Sequence, residues 1–478
     1  MNSQDIFDGV TDIRDDLIDG AKETPRKQKR WIKKRWTGVV AAVLALAIMA
    51  GVFLRPGGEL TAYAIAQAEY PEMALYPFLE SDEYDEEAYN AWSESVRAQR
   101  RDLGDISSLQ SFFARSAQTF LIGAEGENRV YSPLNVYMAL SMLAQLTAGE
   151  SREQILTLLG SDSMDALRQQ AGDIWNSNYQ NDGALTSILA SSLWLNRNIK
   201  FDQDTMDILA QDFYASSYRG EMGSEEFNKV LQGWLNEQTG GLLEEQAGSI
   251  ELDAETVLAL ATTVYFRAKW QDQFSEENTS PQIFHSPDGD VETDFMHKRH
   301  SDDVYFWGDR FTALCQPFDN GGAMWFVLPE EGMNPEDLLT DSETMEFLFA
   351  ENKYKWENQK WLYVNKAIPK FDVCSQLDLR EGLKDLGITD VFDPVRSDFT
   401  PMAKDSEGIV LTQADHAARV VIDEQGCTAA AFTAMVLGAG GPEEEVVDFV
   451  LDRPFIFCIT GNSGLPLFVG VVNYPVGK

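Results

Sequence analysis

The chain has 478 residues, 44% of them hydrophobic and 11% aromatic, which excludes wholesale disorder and leaves room for one large domain with appendages. A net charge of −39 argues for solubility and against nucleic acid as a partner, because no basic face easily survives in such a field. Cys315, Cys374, Cys427 and Cys458 are scattered without zinc-ligand or disulfide-framework spacing, so neither a metal nor a cofactor is expected.

Along the chain, Ile6, Val10, Ile13 and Leu17 recur at helical intervals among acids and predict a short amphipathic helix. The first 36 residues hold nine basic and seven acidic side chains, so the remainder carries −41. "PRKQKRWIKKRW" is purely basic and abuts an uncharged run, Thr37 to Leu54, whose eighteen residues just suffice to span a bilayer. Trp31 and Trp36 lie where interfacial aromatics belong, and the basic lead keeps the N-terminus cytoplasmic. The expectation is a basic cytoplasmic segment (1–36), a single-pass transmembrane helix (37–54) and an extracellular remainder anchored to the cell membrane. The competing reading is a secreted chain, with a signal peptide cleaved near "AYAIAQA" at 62–68; the long basic lead and the distance to that site argue against it. Residues 55–105, rich in acids, Tyr and Pro, read as an acidic extracellular tether.

From residue 106 to the C-terminus, helical and strand signals alternate, with helices dominating early and strands late. This predicts an α+β domain. "YSPLNVYMALSMLAQLT" reads as a helix with Ser132 as N-cap and Pro133 at its first position. "TVLALATTVYF" and "FVLDRPFIFCITG" read as buried strands, the latter followed by "LPLFVGVVNYP" after a Gly-containing turn.

Two motifs invite an enzymatic or metal-binding reading. "TGNSGLP" at 460–466 looks like the nucleophile segment of trypsin-like proteases, but His285, His297, His300 and His416 have no matching context for a triad, and a hairpin turn is the better reading. "MHKRH" offers His297 and His300 without further ligands, which favours a solvated basic loop.

Several segments in this order resemble the serpins, a family of protease inhibitors: "NRVYSPLNVYMALSMLAQLTAGESREQILTLLG", "GWLNEQTGGLL", "VYFRAKWQDQFSEENTSPQIF" with Thr279 and Phe284, "IPKFDV", "LGITDVFDP", "SDFTPMA", "ADHAARVVIDEQG", and "DRPFIF" through "PLFVGVVNYP". The resemblance covers residues 106–478. It implies a serpin fold, with a large central mixed β-sheet, surrounding helices and an exposed reactive-centre loop. It also implies a monomer that carries no catalytic residue. Its partner would be a serine or cysteine protease, trapped as a covalent acyl complex. Ser132, Thr262, His416 and Trp270 are implied to form the cluster that governs sheet opening; Thr262 stands where the family usually has Asn. A non-inhibitory serpin acting as a binding or structural surface protein is the alternative.

By the same resemblance "DEQGCTAAAFTAMVLGAGGPEEE", residues 423–445, is the bait. A strand entering between two others must lead with small side chains; the hinge is Glu424, Gly426, Cys427, Thr428, Ala429, Ala430, Ala431 and Thr433, and within it Gly426 to Ala431 meet that demand. Alternation places Cys427, Ala429, Ala431, Thr433, Met435 and Leu437 on one face, uncharged throughout, and Thr428, Ala430, Phe432, Ala434 and Val436 on the other. Cys427 reads as a small hydrophobe or as a thiol whose modification obstructs insertion. Spacing from Gly426 puts the attacked bond at Gly440–Gly441, with Ala439–Gly440 as the neighbour, within the uncharged range Leu437 to Gly441. An elastase-like or subtilisin-like target fits better than a trypsin-like one. The N-terminal architecture suits a bacterial surface protein.

Overall fold

Two β-sheets enclose a buried helix. The computed structural model describes residues 58–78, 85–124, 126–319, 321–404, 407–427 and 443–475. The expected N-terminal amphipathic helix, the span 37–54, Thr428–Thr433 of the hinge, and the bait bond at Ala439, Gly440 and Gly441 lie outside these residues. Among the described residues no helix is long and apolar enough to cross a membrane.

The first sheet runs, in spatial order, β1 (Ala64–Ala66), β5 (Ala215–Gly220), β4 (Thr186–Asn196), β6 (Leu258–Lys269), β14 (Gly426–Cys427), β13 (Asp415–Ile422) and β12 (Phe371–Asp378), with β3 (Gln180–Asn181) on β4. The second runs β15 (Glu443–Val450), β11 (Gln359–Pro369), β8 (Gly289–Trp307), β9 (Phe311–Pro317), β10 (Ala323–Pro329), β16 (Phe455–Thr460), β17 (Pro466–Val472) and β2 (Arg129–Tyr131), with β7 (Thr279–Ser286) on β8. Parallel and antiparallel pairs occur in both.

The helices before β7 are α1 (Gly58–Tyr63), α2 (Glu86–Gln99), α3 (Ser107–Leu121), α4 (Pro133–Leu146), α5 (Gly149–Leu159), α6 (Met164–Asn178), α7 (Gln203–Asp212), α8 (Glu225–Gln238) and α9 (Glu244–Gly248); α1, α6, α7 and α8 pack on strands of the first sheet, and α3 packs on β2 and β17 of the second. The signals read for α4 operate as expected: the Ser132 side chain accepts from the Asn135 N–H at 3.3 Å, and Pro133 occupies the first turn, where its missing N–H costs nothing. Nearly every α4 residue is buried, because the helix touches both β6 and β17 and so joins the two sheets.

Two expectations need correction. "FVLDRPFIFCITG" is not one strand: β15 ends at Val450 and β16 begins at Phe455, at distant places in the second sheet. Pro454 between them has no N–H to offer a ladder. The stretch 55–105 is not a tether over its described part. Strand β1 adds to the edge of β5, and the Tyr70 ring packs 5.1 Å from Trp175, 5.8 Å from Tyr179 and 6.4 Å from Tyr214. Tyr76 N–H donates to the Asp182 carbonyl at 2.8 Å, and Trp92 Nε1 on α2 donates to the buried Asp182 carboxylate at 2.7 Å. The acids of this stretch whose burial is described stay on the surface, while Tyr70, Tyr76 and Trp92 find partners far along the chain. Tyr70→Ala is therefore expected to lower the unfolding free energy by about 2 kcal/mol in urea titration, where a free tether predicts no change.

Candidate functional site

Along one seam of the first sheet the described residues pair only at its mouth. Among the described residues, β6 and β13 are joined only through β14: Gly426 lies opposite Lys269, and Cys427 lies opposite both Ala268 and Ile422, all antiparallel. Residues 258–267 of β6 have a ladder on β4, and residues 415–421 of β13 have one on β12, but no ladder crosses from one set to the other. A cavity runs along this seam beneath α8 and α9, lined by Leu231, Leu235, Ala247, Leu260, Thr263 and Ala417. Short bonds hold the cover in place: Arg419 grips Asp372 with two nitrogens (2.8 and 2.6 Å) and donates to the Leu242 carbonyl at 3.0 Å. Such a paired guanidinium–carboxylate contact fixes orientation as well as distance.

The chain enters the seam through a tight turn. Asp423 N–H donates to the Gly426 carbonyl at 3.0 Å, while Asp423 Oδ1 accepts from the N–H groups of Gln425 and Gly426. Glu424 is buried and holds the turn from below: it accepts from Thr279 Oγ1 at 2.8 Å and pairs with Lys370 Nζ at 3.0 Å. Burial pushes its carboxyl up, but hydrogen bonds from its own backbone, Thr279 and Lys370 outweigh that and leave it below its ordinary value. Gly426 has no room for a side chain, since a Cβ there would stand 2.2 Å from the Ala268 carbonyl oxygen and 2.7 Å from the Lys269 Cα. These are backbone atoms of a central strand, which cannot give way cheaply. Cys427 is buried at 4% exposure between two strands.

Of the four residues expected to govern opening, the structure brings three together. Ser132 N–H donates to His416 Nε2 at 3.1 Å, so the imidazole proton sits on Nδ1, and the ring stands edge-on to Tyr131. Thr262 joins through its carbonyl, which accepts from Asn135 Nδ2 at 3.2 Å. Asn135 was not singled out from sequence, although it is the third residue after a Ser-Pro helix start and so lies on the same turn as Ser132. Trp270 is not part of this cluster. It lies eight residues from Thr262 along an extended path, roughly 26 Å away, where Nε1 donates to the Asp423 carbonyl at 2.8 Å and the ring stacks on Phe318. It supports the turn into the seam.

Burial holds the His416 imidazole far below its ordinary pKa, at about 4. On acidification the unfolded imidazole therefore takes up a proton first. Stability falls as pH drops below about 6.5 and the loss levels off below about 4, at up to about 3 kcal/mol. The difference in unfolding free energy between the native chain and a His416→Gln variant is expected to shrink by that amount between pH 7 and pH 4; a constant difference would remove His416 as the source.

The decoys fall elsewhere. Residues 461–465 form the turn between β16 and β17, with Ser463 Oγ donating to Asn178 Oδ1 at 2.7 Å. His300 stacks on Tyr363, and among the described residues no group of three or more His, Cys, Asp or Glu could hold a metal ion. Cys315, Cys374 and Cys458 are free thiols.

An open seam, a strand begun at its mouth and a polar cluster beneath it coincide with a family match: the model of the serpins, serine protease inhibitors, fits residues 107–475. The chain belongs to the serpin family. This serpin is 28% identical over 395 residues to Serpin-ZX of Arabidopsis thaliana, covering 78% of the chain and 100% of the relative. It is 28% identical to plasminogen activator inhibitor 1 of Sus scrofa, covering 77% of the chain and 94% of that protein. Its fold is similar to that of tengpin, a thermophilic serpin in its native state, with a TM-score of 0.69 at 23% identity over 78% of the chain and 96% of tengpin. The docked stretch before residue 107 lies outside the family match.

Proposed function

We propose that this serpin is a suicide-substrate inhibitor of serine proteases, with cysteine proteases as a further class, in which residues 428–437 enter the seam after the bait is cut. The observation that carries this is the β14 register. Continued downward on insertion, it would set Ala429 opposite Phe266 and Val420, Ala431 opposite Val264 and Ala418, Thr433 opposite Thr262 and His416, and Leu437 opposite Leu258 at the end of β6. Phe266, Val420, Ala418, His416 and Leu258 are all buried. The face expected to be small and uncharged is thus the face that meets the core. On the other face Phe432 falls opposite Thr263 and Ala417, two residues of the cavity.

The chemistry belongs to the protease. Its nucleophile attacks the carbonyl carbon of the bait residue, an ester forms, the peptide bond breaks, and the leaving amine becomes a new N-terminus. The fifteen residues Gly426–Gly440, extended, then carry the attached enzyme roughly 50 Å, faster than water reaches the ester. Loop insertion of this kind is a known device of inhibitory serpins. The bait range Leu437–Gly441 contains no charge, which supports elastase-like or subtilisin-like targets at Gly440–Gly441 or Ala439–Gly440. Incubation with elastase, subtilisin and trypsin should give a denaturant-resistant complex with one of the first two; a complex with trypsin alone overturns the target assignment. The basic lead and the apolar run 37–54 support a single-pass membrane anchor with the domain outside the cell. Protease shaving of intact cells that left the domain untouched would count against that placement.

A further inference from the structure

The face of the seam that looks toward α8 is uneven. Carried down from β14, the register puts Tyr265 level with Arg419, then Thr263 level with Ala417, then Ala261 level with Asp415. Between the short side chains of Thr263, Ala417 and Ala261 and the leucines Leu231 and Leu235 of α8 lies a cavity of about 60 Å³. Thr263 on its wall is 4% exposed, yet its Oγ1 has no hydrogen-bond partner among the described residues. A buried hydroxyl left in this way calls for a further occupant of the space it faces.

The chain itself supplies one. On insertion the side chains of the loop that face α8 are Thr428, Ala430, Phe432, Ala434 and Val436. Their sizes complement the sheet: Ala430 comes level with Tyr265 and Arg419, where there is little room, and Phe432 comes level with Thr263 and Ala417, where there is a void. Phe432 is the one aromatic residue between 428 and 437. It follows Cys427 by five residues, as Thr263 is five residues from Ala268, so both paths down the seam measure roughly 16 Å.

We propose that the cavity beneath α8 is the seat of the Phe432 side chain in the cleaved inhibitor, and that this seat fixes the register of the inserted strand. The inference rests on the reading of residues 428–437 as the strand that enters. The cavity is smaller than the roughly 150 Å³ that takes up benzene. A new strand adds a spacing of about 4.8 Å between β6 and β13 and widens it. The ring then lies against the Thr263 hydroxyl, whose hydrogen can turn onto the π-face, and loses its contact with water to the two leucines.

Calorimetry of Phe432→Ala, Phe432→Leu and Leu235→Ala, each in the full chain, before and after cleavage within Leu437–Gly441 by a non-target protease, tests the seat. Phe432→Ala is expected to gain about 5 °C less on cleavage than the native chain, with its uncleaved form melting as native does, and Phe432→Leu to recover roughly half of the deficit. Leu235→Ala should reduce the gain in the native background but not further in Phe432→Ala, because both remove the same contact. A gain for Phe432→Ala within about 1 °C of native, a lowered melting temperature of its uncleaved form, or additive losses in the double variant would each overturn the seat while leaving insertion in place. If Leu235→Ala does not fold, the two Phe432 variants decide. If the native chain gains nothing on cleavage, insertion itself fails and this proposal falls with it.

Discussion

Ala429→Glu is expected to abolish inhibition and turn the chain into a plain substrate, while Thr428→Glu, one residue earlier, leaves inhibition largely intact. The contrast follows from the register at β14. Inserted in that register, Ala429 would continue the face of Cys427 between Phe266 and Val420, whose side chains are 4% and 2% exposed. A carboxylate there enters the core without a partner, at a cost of several kcal/mol. Since each 1.4 kcal/mol is tenfold in rate, insertion slows by roughly a thousandfold and deacylation overtakes it. In the same inserted register Thr428 would take the opposite face, between Arg267 and Val421, both half-buried, where a carboxylate would meet solvent and a guanidinium. The measurement is the molar ratio of inhibitor consumed to enzyme inactivated: above ten for Ala429→Glu and close to native for Thr428→Glu. Equal ratios would mean that the loop enters in another register or does not enter.

Much of this was legible because it depends on local chemistry. The Ser132 cap with Pro133 after it specifies a helix start by hydrogen bonding within one turn. Gly426 followed by small residues specifies a strand that must pass close to backbone, and the 2.2 Å approach to the Ala268 carbonyl is the reason only glycine fits. What was illegible depends on distant partners. Tyr70 and Trp92 sit in a stretch whose composition says linker, and only Trp175 and Asp182, about a hundred residues on, make them anchors. Asn135 is polar in a helix that otherwise reads as wholly buried, and its use is apparent only once Thr262 lies beside it. Two readings could have been sharper from sequence alone. Pro454 should have divided the strand signal around it, and the eight-residue separation of Thr262 and Trp270 already places them at different levels along one extended segment.

The central claim is that the native sheet holds a vacancy which residues 428–437 fill when the loop is cut. Filling it would bury Ala429, Ala431, Thr433, Met435 and Leu437 and add a ladder on each side of the new strand, where among the described residues only β14 spans the seam. For a domain of this size each net kcal/mol is worth roughly 2 °C, so a gain of about 5–10 kcal/mol raises the melting temperature by roughly 10–20 °C. The direct test is calorimetry of the chain before and after cleavage by a non-target protease within Leu437–Gly441. The account predicts a rise of about 10 °C or more in the cleaved form, abolished by Ala429→Glu; an unchanged or lower melting temperature would contradict it.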